Sequence, residues 1–407
     1  MKNLKKYVAL ILLSITIGII CGSVGAVFSK SVEFVTVLRA NNSWLLYLLP
    51  LGGLLSVGIY KLCRVKNIGT QNVFDCVKTE QNLPKGLPIA IFCGTCISHL
   101  FGASAGREGA ALQIGGGVAN LISRIFHFDE DTRHQLVMCG MASLFSAVFG
   151  TPLAACVFVL EVIMTKLCFL AAVPILFSSI TAFIISQILH VHPERFNIGA
   201  LPQFSFTLVC KTAVITAISI IVAFIFCKGL SIGKDFAKKI FKNEFLRIAV
   251  GGIIIIALTL IIGNFDYNGG GINIIERVFE GQVKYHAFAL KILFTVICIS
   301  AGYKGGEIIP TLFIGATLGG ALALILNIPM AIGATIGMSV LFVCATKCPL
   351  ATILICCEMF GFNCIMLVLP VIVVSFCIAR YEGIYGKPKD WIFYLKPLIS
   401  KKMSSRK

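Results

Sequence analysis

Residues 140–161 read GMASLFSAVFGTPLAACVFVLE, and residues 337–358 read GMSVLFVCATKCPLATILICCE. Laid side by side without a gap, Gly140 meets Gly337 and Met141 meets Met338. Leu144-Phe145 then meets Leu341-Phe342, Pro152-Leu153-Ala154 meets Pro349-Leu350-Ala351, and Glu161 meets Glu358. The offset is 197 throughout (337 − 140, 358 − 161), and it also carries Arg107 onto Lys304 and Gly109 onto Gly306. Ahead of each copy stands a Gly-rich charged turn, GREG at 106–109 and GYKGGE at 302–307. The pattern reads as a duplicated unit whose turns meet at a pseudo-two-fold axis. The sequence leaves open whether the second copy is inverted.

The chain around these copies has 407 residues, 57% of them hydrophobic and 13% charged. A soluble domain runs at about 45–50% apolar and about 25% charged. A chain this apolar cannot hide its hydrophobic surface in a water-facing fold, and a disordered chain is polar and highly charged. An all-α polytopic membrane protein remains. The run Tyr7 to Phe28 is too long for a signal-peptide core and lacks a small-residue cleavage site after it, so it reads as a first membrane helix. Further apolar runs lie at about 43–63, 85–104, 108–126, 135–164, 167–190, 205–230, 245–264, 287–302, 308–345 and 348–380. Several are cut by Gly and Pro. Irregular backbone at membrane depth is tolerated only where it lines a cavity or is buried in protein.

Charge narrows the reading further. There are 35 Lys and Arg against 18 Asp and Glu, an excess of +17. The cations cluster at the N-terminus (Lys2, Lys5, Lys6), at mid-chain (Lys228, Lys234, Lys238, Lys239, Lys242, Arg247) and at the C-terminus (Lys396, Lys401, Lys402, Arg406, Lys407). Each cluster borders an apolar stretch, which is the positive-inside pattern and not a nucleic-acid surface. Both termini and the mid-chain segment are expected in the cytoplasm. The expected organisation is one transmembrane domain over 1–407, with halves of roughly 1–228 and 245–390, short basic tails and no cytoplasmic nucleotide-binding domain. The 17 cysteines lie mostly in apolar runs, where they act as small hydrophobes. Cys93 and Cys96 have no second pair or histidine set at zinc spacing, so neither a metal site nor a cofactor is expected. No HExxH motif marks an enzyme embedded in the membrane.

A charge inside the bilayer costs several kcal/mol unless it is paired or hydrated, so intramembrane charges are candidate functional groups. Arg107, Glu108, Glu161, Lys304, Glu307, Lys347 and Glu358 qualify. Glu108 is the sharpest. It opens an apolar helix from a Gly-rich turn, and a helix N-terminus with free N–H groups is an anion site. A carboxylate can occupy that site itself, then vacate it for an anion once protonated. The plainer alternative is a carboxylate that merely caps its helix. Glu161 and Glu358, matched in the repeat, are expected to pair structurally at helix ends. Glu307 has no acid at the matching place and is the second proton-coupling candidate. Arg107 and Lys304 are expected to hold the turns or to make the pore mouth electropositive.

GREGAALQIGG (106–116) resembles the GREGP signature of the CLC family of chloride channels and proton-coupled anion antiporters. HQLVMCGMASLFSAVFGTPLAACVFVLE (134–161), NGGGINIIERVFEG (268–281), the second Gly-rich turn and GIY (383–385) follow in that family's order. The resemblance spans essentially the whole chain. It implies two inverted halves of tilted, broken helices, a homodimer with one pore per subunit, and Glu108 as the external gating glutamate. Departures choose the branch. Chloride-type members carry a GSGIP loop, where this chain has GTQNVFD (69–75). Chloride/proton antiporters have paired glutamates where this chain has VLEVIM (159–164). Their late GxFxP loop is here GGEIIPTLF (305–313), with the added acid Glu307. These features resemble the fluoride/proton antiporter branch, although Ile309 stands where that branch usually has Thr.

The resemblance then implies an anion site built by Gly106, Arg107, Gly109, Phe313, Ile314 and Tyr385. Thr70, Gln71 and Asn72 are candidate hydrogen-bond donors, and Phe74 is the candidate for a second pore phenylalanine. Aromatic ring edges carry the positive end of the quadrupole and can face an anion. The implied partners are fluoride, protons, the bilayer of the cell membrane and a second copy of the chain. The alternatives are a chloride channel or chloride/proton antiporter and, remotely, a membrane-embedded enzyme.

Overall fold

The computed structural model describes residues 2–66, 69–79, 81–164 and 167–386. The C-terminal basic cluster lies outside the described residues. Sixteen α-helices run through the described chain, joined by turns and two short 3-10 segments. In chain order the first eight are α1 (Lys2–Asn41), α2 (Leu49–Leu62), α3 (Thr70–Cys76), α4 (Leu87–Phe101), α5 (Glu108–Ile125), α6 (Glu130–Phe149), α7 (Pro152–Ile163) and α8 (Leu167–Ile188). The next eight are α9 (Phe206–Ile240), α10 (Glu244–Ile262), α11 (Ile272–Phe279), α12 (Ala287–Ala301), α13 (Ile308–Leu326), α14 (Met330–Thr346), α15 (Pro349–Phe360) and α16 (Ile365–Ile378). The two octets match in their pattern of lengths, a long helix first and a very short one third. The halves therefore divide between α8 and α9. The basic mid-chain segment, expected to separate them near 228–245, is the C-terminal end of α9 and the start of α10, with Lys238 and Lys239 in the last turn of α9. Cations there complement the helix dipole.

The turns show why each break falls where it does. α4 and α12 both end on left-handed glycines, Gly102 (φ 87°) and Gly302 (φ 109°). α7 and α15 both begin on proline, whose missing N–H has no helical partner in the first turn anyway. The register of the repeat, however, is not uniform. Gly102 with Gly302, and Glu108 with Ile308, are offset by 200 (302 − 102, 308 − 108). The offset returns to 197 at Pro152 with Pro349 (349 − 152), because α6 has 20 residues and α14 has 17. The matching of Arg107 with Lys304 and of Gly109 with Gly306 is thereby corrected. The counterpart of Arg107 is Glu307, and both stand at the N-cap of their helix.

Two reciprocal contacts fix how the halves meet. Gly106 and Gly306 exchange both backbone hydrogen bonds at 2.7 Å in an antiparallel bridge. Glu161, in the last turn of α7, accepts from the N–H groups of Leu350 and Ala351 in the first turn of α15, at 3.0 and 2.7 Å. Glu358, in the last turn of α15, accepts from Leu153 and Ala154 in the first turn of α7, at 3.0 and 2.9 Å. Equivalent helices thus run antiparallel about a two-fold axis, as inverted halves require. The expected structural pairing of these two glutamates is present, and each satisfies orphan N–H groups of the other half.

Inside each half the helix pairs α5/α6 and α13/α14 pack backbone to backbone. A Cβ on Gly115 would lie 2.1 Å from the Gly140 carbonyl oxygen, and one on Gly337 would lie 2.1 Å from that of Gly315. Only glycine permits such approach, the usual device where lipid supplies no hydrophobic drive between helices. These pairs form the buried centre. Around them α1, α2, α8, α9, α10 and α16 present large apolar side chains outward, such as Leu12, Leu62, Ile184, Ile221, Ile261 and Met366. By length and composition, six helical segments of the described chain can cross a membrane.

Candidate anion and proton site

The glycine bridge lies between two cavities. One, of about 620 Å³, is lined by Glu108, Arg107, Arg39, Glu194, Glu276 and Ile309 among others. The second, of about 300 Å³, is lined by Thr70, Gln113, Lys234, Arg247, Glu307 and Tyr385 among others. The two acids stand close to the bridge in sequence, Glu108 two residues past Gly106 and Glu307 directly after Gly306. They open onto different cavities.

Glu108 is in the first turn of α5 and only 1% exposed. Its Oε2 accepts the Arg107 N–H at 3.0 Å. Its Oε1 lies 3.6 Å from Arg107 Nε and accepts no hydrogen bond among the described residues. Arg107 is turned the other way, its Nη2 donating to Glu194 Oε1 at 2.8 Å. One guanidinium thus serves two carboxylates. A Cβ at position 106 would stand 2.7 Å from Glu108 Oε2 and 3.1 Å from Ile309 Cβ, so a side chain there displaces the Glu108 carboxylate. Ile309 therefore forms an apolar wall directly beside Glu108.

Glu307 is 8% exposed and accepts from Lys234 Nζ at 3.2 Å. In the same cavity Thr70 Oγ1 accepts from Gln113 Nε2 at 3.0 Å, and no described group accepts the Thr70 hydroxyl proton. The Tyr385 hydroxyl is buried and makes no hydrogen bond among the described residues. Two hydroxyl donors and an ammonium group therefore converge on one cavity. Phe74 stands edge-on to the Tyr385 ring, with centroids 5.3 Å apart at 85°, and Phe158 lies at 6.0 Å on the same ring.

The other expected residues sit differently. Asn72 folds its Oδ1 back to accept the Gly69 N–H at 2.9 Å, capping its own helix. Gln71 borders the second cavity, but its amide donates to Asp75 at 3.1 Å. Of the three polar residues only Thr70 is buried. Gly109 packs against Gly306 and lies near the Thr70 hydroxyl. Ile314 is buried within α13 and borders neither cavity. Phe313 is fully buried, with Lys291 Nζ over its ring at 5.0 Å and Tyr267 edge-on at 6.5 Å. Lys304 lies in the second cavity over the Tyr60 ring at 4.2 Å.

Two residues were not found from the sequence. Lys291 is 0% exposed at the middle of α12 and donates to the carbonyls of Gly269 at 2.6 Å and Tyr267 at 3.3 Å. It thereby fixes the Gly-rich turn at 268–271. A lone lysine in the apolar run AFALKILF (287–294) was a usable signal for it. Glu194 had none, because only folding brings the connection after α8 onto Arg107.

The family model described as voltage gated chloride channel matches residues 52–380. A chloride/fluoride channel protein of Pseudomonas syringae pv. tomato is 30% identical, over 91% of this chain and 84% of its own. The H(+)/Cl(-) exchange transporter ClcA of Vibrio cholerae is 26% identical, over 93% of this chain and 87% of its own. The crystal structure of a CLC-type fluoride/proton antiporter superposes with a TM-score of 0.88 at 31% identity, covering 94% of this chain and 98% of that one. A cyanobacterial Cl-/H+ antiporter shares the fold at a TM-score of 0.76 and 19% identity.

Proposed function

The chain belongs to the voltage-gated chloride channel family, and from that premise we propose that it exchanges fluoride for protons and exports fluoride from the cell. The observation that carries this reading is the pair of buried carboxylates facing opposite cavities across one glycine bridge. Glu108 gates the outer cavity and Glu307 faces the inner one, where Lys234, Arg247 and Lys238 supply positive charge. A fluoride ion in the inner cavity takes hydrogen bonds from the Thr70 and Tyr385 hydroxyls, with the Phe74 edge nearby. Small hard anions gain most from such donors, since each replaces part of a tightly held hydration shell. Protonation of Glu108 frees the Arg107 amide, and the anion replaces the carboxylate at the α5 N-terminus. Deprotonation returns the carboxylate and expels the anion, so each passage of fluoride is tied to a proton moving the other way.

Fluoride enters cells as the weak acid HF and ionises inside, so export driven by inward protons is chemically sensible. The protein acts in the cell membrane as a homodimer, with both termini in the cytoplasm on the positive-inside rule. Fluoride-loaded proteoliposomes, followed with a fluoride electrode and an internal pH dye, are expected to release fluoride while taking up protons. In Glu108→Gln the proton flux is expected to fall at least about tenfold. Unchanged coupled exchange in that variant removes the gating role. Chloride release as fast as fluoride release returns the protein to the chloride-transporting branch.

A further inference from the structure

A third cavity, of about 530 Å³, lies among the C-terminal end of α2, the N-terminal end of α10 and the turn after α12. The α2 and α10 segments are of membrane-spanning length, so the cavity sits where both leave the bilayer at the same face. Five cations border it, Lys61, Arg64, Lys66, Arg247 and Lys304, against one acid, Glu244. Among the described residues none of the five has a carboxylate within 4.0 Å. Three of them are held in place by groups that carry no charge. Lys61 Nζ sits over the Phe245 ring and Lys304 Nζ over the Tyr60 ring, each at 4.2 Å. Arg247 donates to the helix-end carbonyls of Ala301 and Phe241, both at 3.4 Å.

The end of α2 is shaped for the same cavity. Val65 N–H donates to the Tyr60 carbonyl and Arg64 N–H to that of Lys61, which together form a Schellman turn. The left-handed position of such a turn is usually glycine, and here it is Arg64 at φ 56°. Beside the cavity α2 and α10 carry exposed leucines, among them Leu62 at 83%, Leu55 and Leu246. Concentrated uncompensated positive charge therefore adjoins an apolar, lipid-facing surface at the membrane interface.

We propose that this cavity binds the phosphate of an anionic phospholipid headgroup, with the acyl chains lying on the α2 and α10 leucines. Basic pockets between membrane helices on the cytoplasmic side suit such headgroups. The exposed leucines favour a lipid over a free phosphate, because a soluble ion leaves them uncovered. Reconstituting the full chain in nanodiscs of equal phosphatidylglycerol and phosphatidylcholine, then reading retained lipid by native mass spectrometry, tests the proposal. Wild type is expected to retain phosphatidylglycerol over phosphatidylcholine by about tenfold. The Lys61→Gln/Arg64→Gln variant is expected to lose that preference while exchanging fluoride at the wild-type rate in pure phosphatidylcholine vesicles. Lys61→Arg is expected to keep the preference. If the double variant does not fold, Arg64→Gln alone is read in the same way. No preference in wild type, or equal preference in the folded variants, overturns the site. Displacement of the lipid by inorganic phosphate at equal concentration reassigns it to a soluble phosphate and overturns the lipid reading.

Discussion

Glu108 and Tyr385 show how little at a single residue separates a structural role from a transport role. Glu108 takes one hydrogen bond from the amide before it and shares Arg107 with Glu194, which leaves one carboxylate oxygen without a donor among the described residues. A pure helix cap would have both oxygens satisfied, as Glu161 and Glu358 do. Tyr385 similarly holds a buried hydroxyl with no acceptor among the described residues. A hydrogen bond to a charged acceptor contributes about 1.5–3 kcal/mol net, so Tyr385→Phe is expected to weaken fluoride binding by about 12- to 150-fold. Isothermal titration of detergent-solubilised protein with fluoride measures this. Unchanged affinity places the anion elsewhere. At this scale the sequence was informative about type and poor about engagement. The motif pointed to Thr70, Gln71 and Asn72 alike, but whether an amide is already taken depends on its neighbours, and Asn72 caps its own helix.

At the scale of the element, the reciprocal carboxylate caps bind the two halves together. Each glutamate accepts two backbone N–H groups across the pseudo-two-fold axis, and hydrogen bonds to a charged group contribute about 1.5–3 kcal/mol each. Glu358→Ala is expected to destabilise the protein by roughly 2–4 kcal/mol, seen as a lower thermal midpoint in detergent. Glu161→Ala should match it, because the contacts are two-fold equivalents. A loss in one variant without the other contradicts that equivalence. The repeat was legible in sequence because Pro152 and Pro349, or Gly140 and Gly337, answer strict local demands of helix starts and close packing. The shift to an offset of 200 was not legible. It arises from a three-residue difference between α6 and α14, where the identities needed to detect it are sparse.

For the whole molecule the two cavities, the bridge between them and the two acids predict coupled exchange and not free conduction. Membrane voltage at zero current, measured under opposed fluoride and proton gradients, is expected to move with the proton gradient. A reversal potential that follows fluoride alone means the protein is a channel. Read without coordinates, the residues already identify a polytopic helical membrane protein, duplicated, with a few acids set in Gly-rich turns. Composition and local backbone demands suffice for that, since the bilayer admits few alternatives. Three dimensions were needed to see that the halves are inverted, that Arg107 corresponds to Glu307, that Glu194 meets Arg107, and that Lys291 holds the turn at 268–271. Those facts depend on which residues distant in the chain come within hydrogen-bonding range, and a one-dimensional pattern carries no record of such distances.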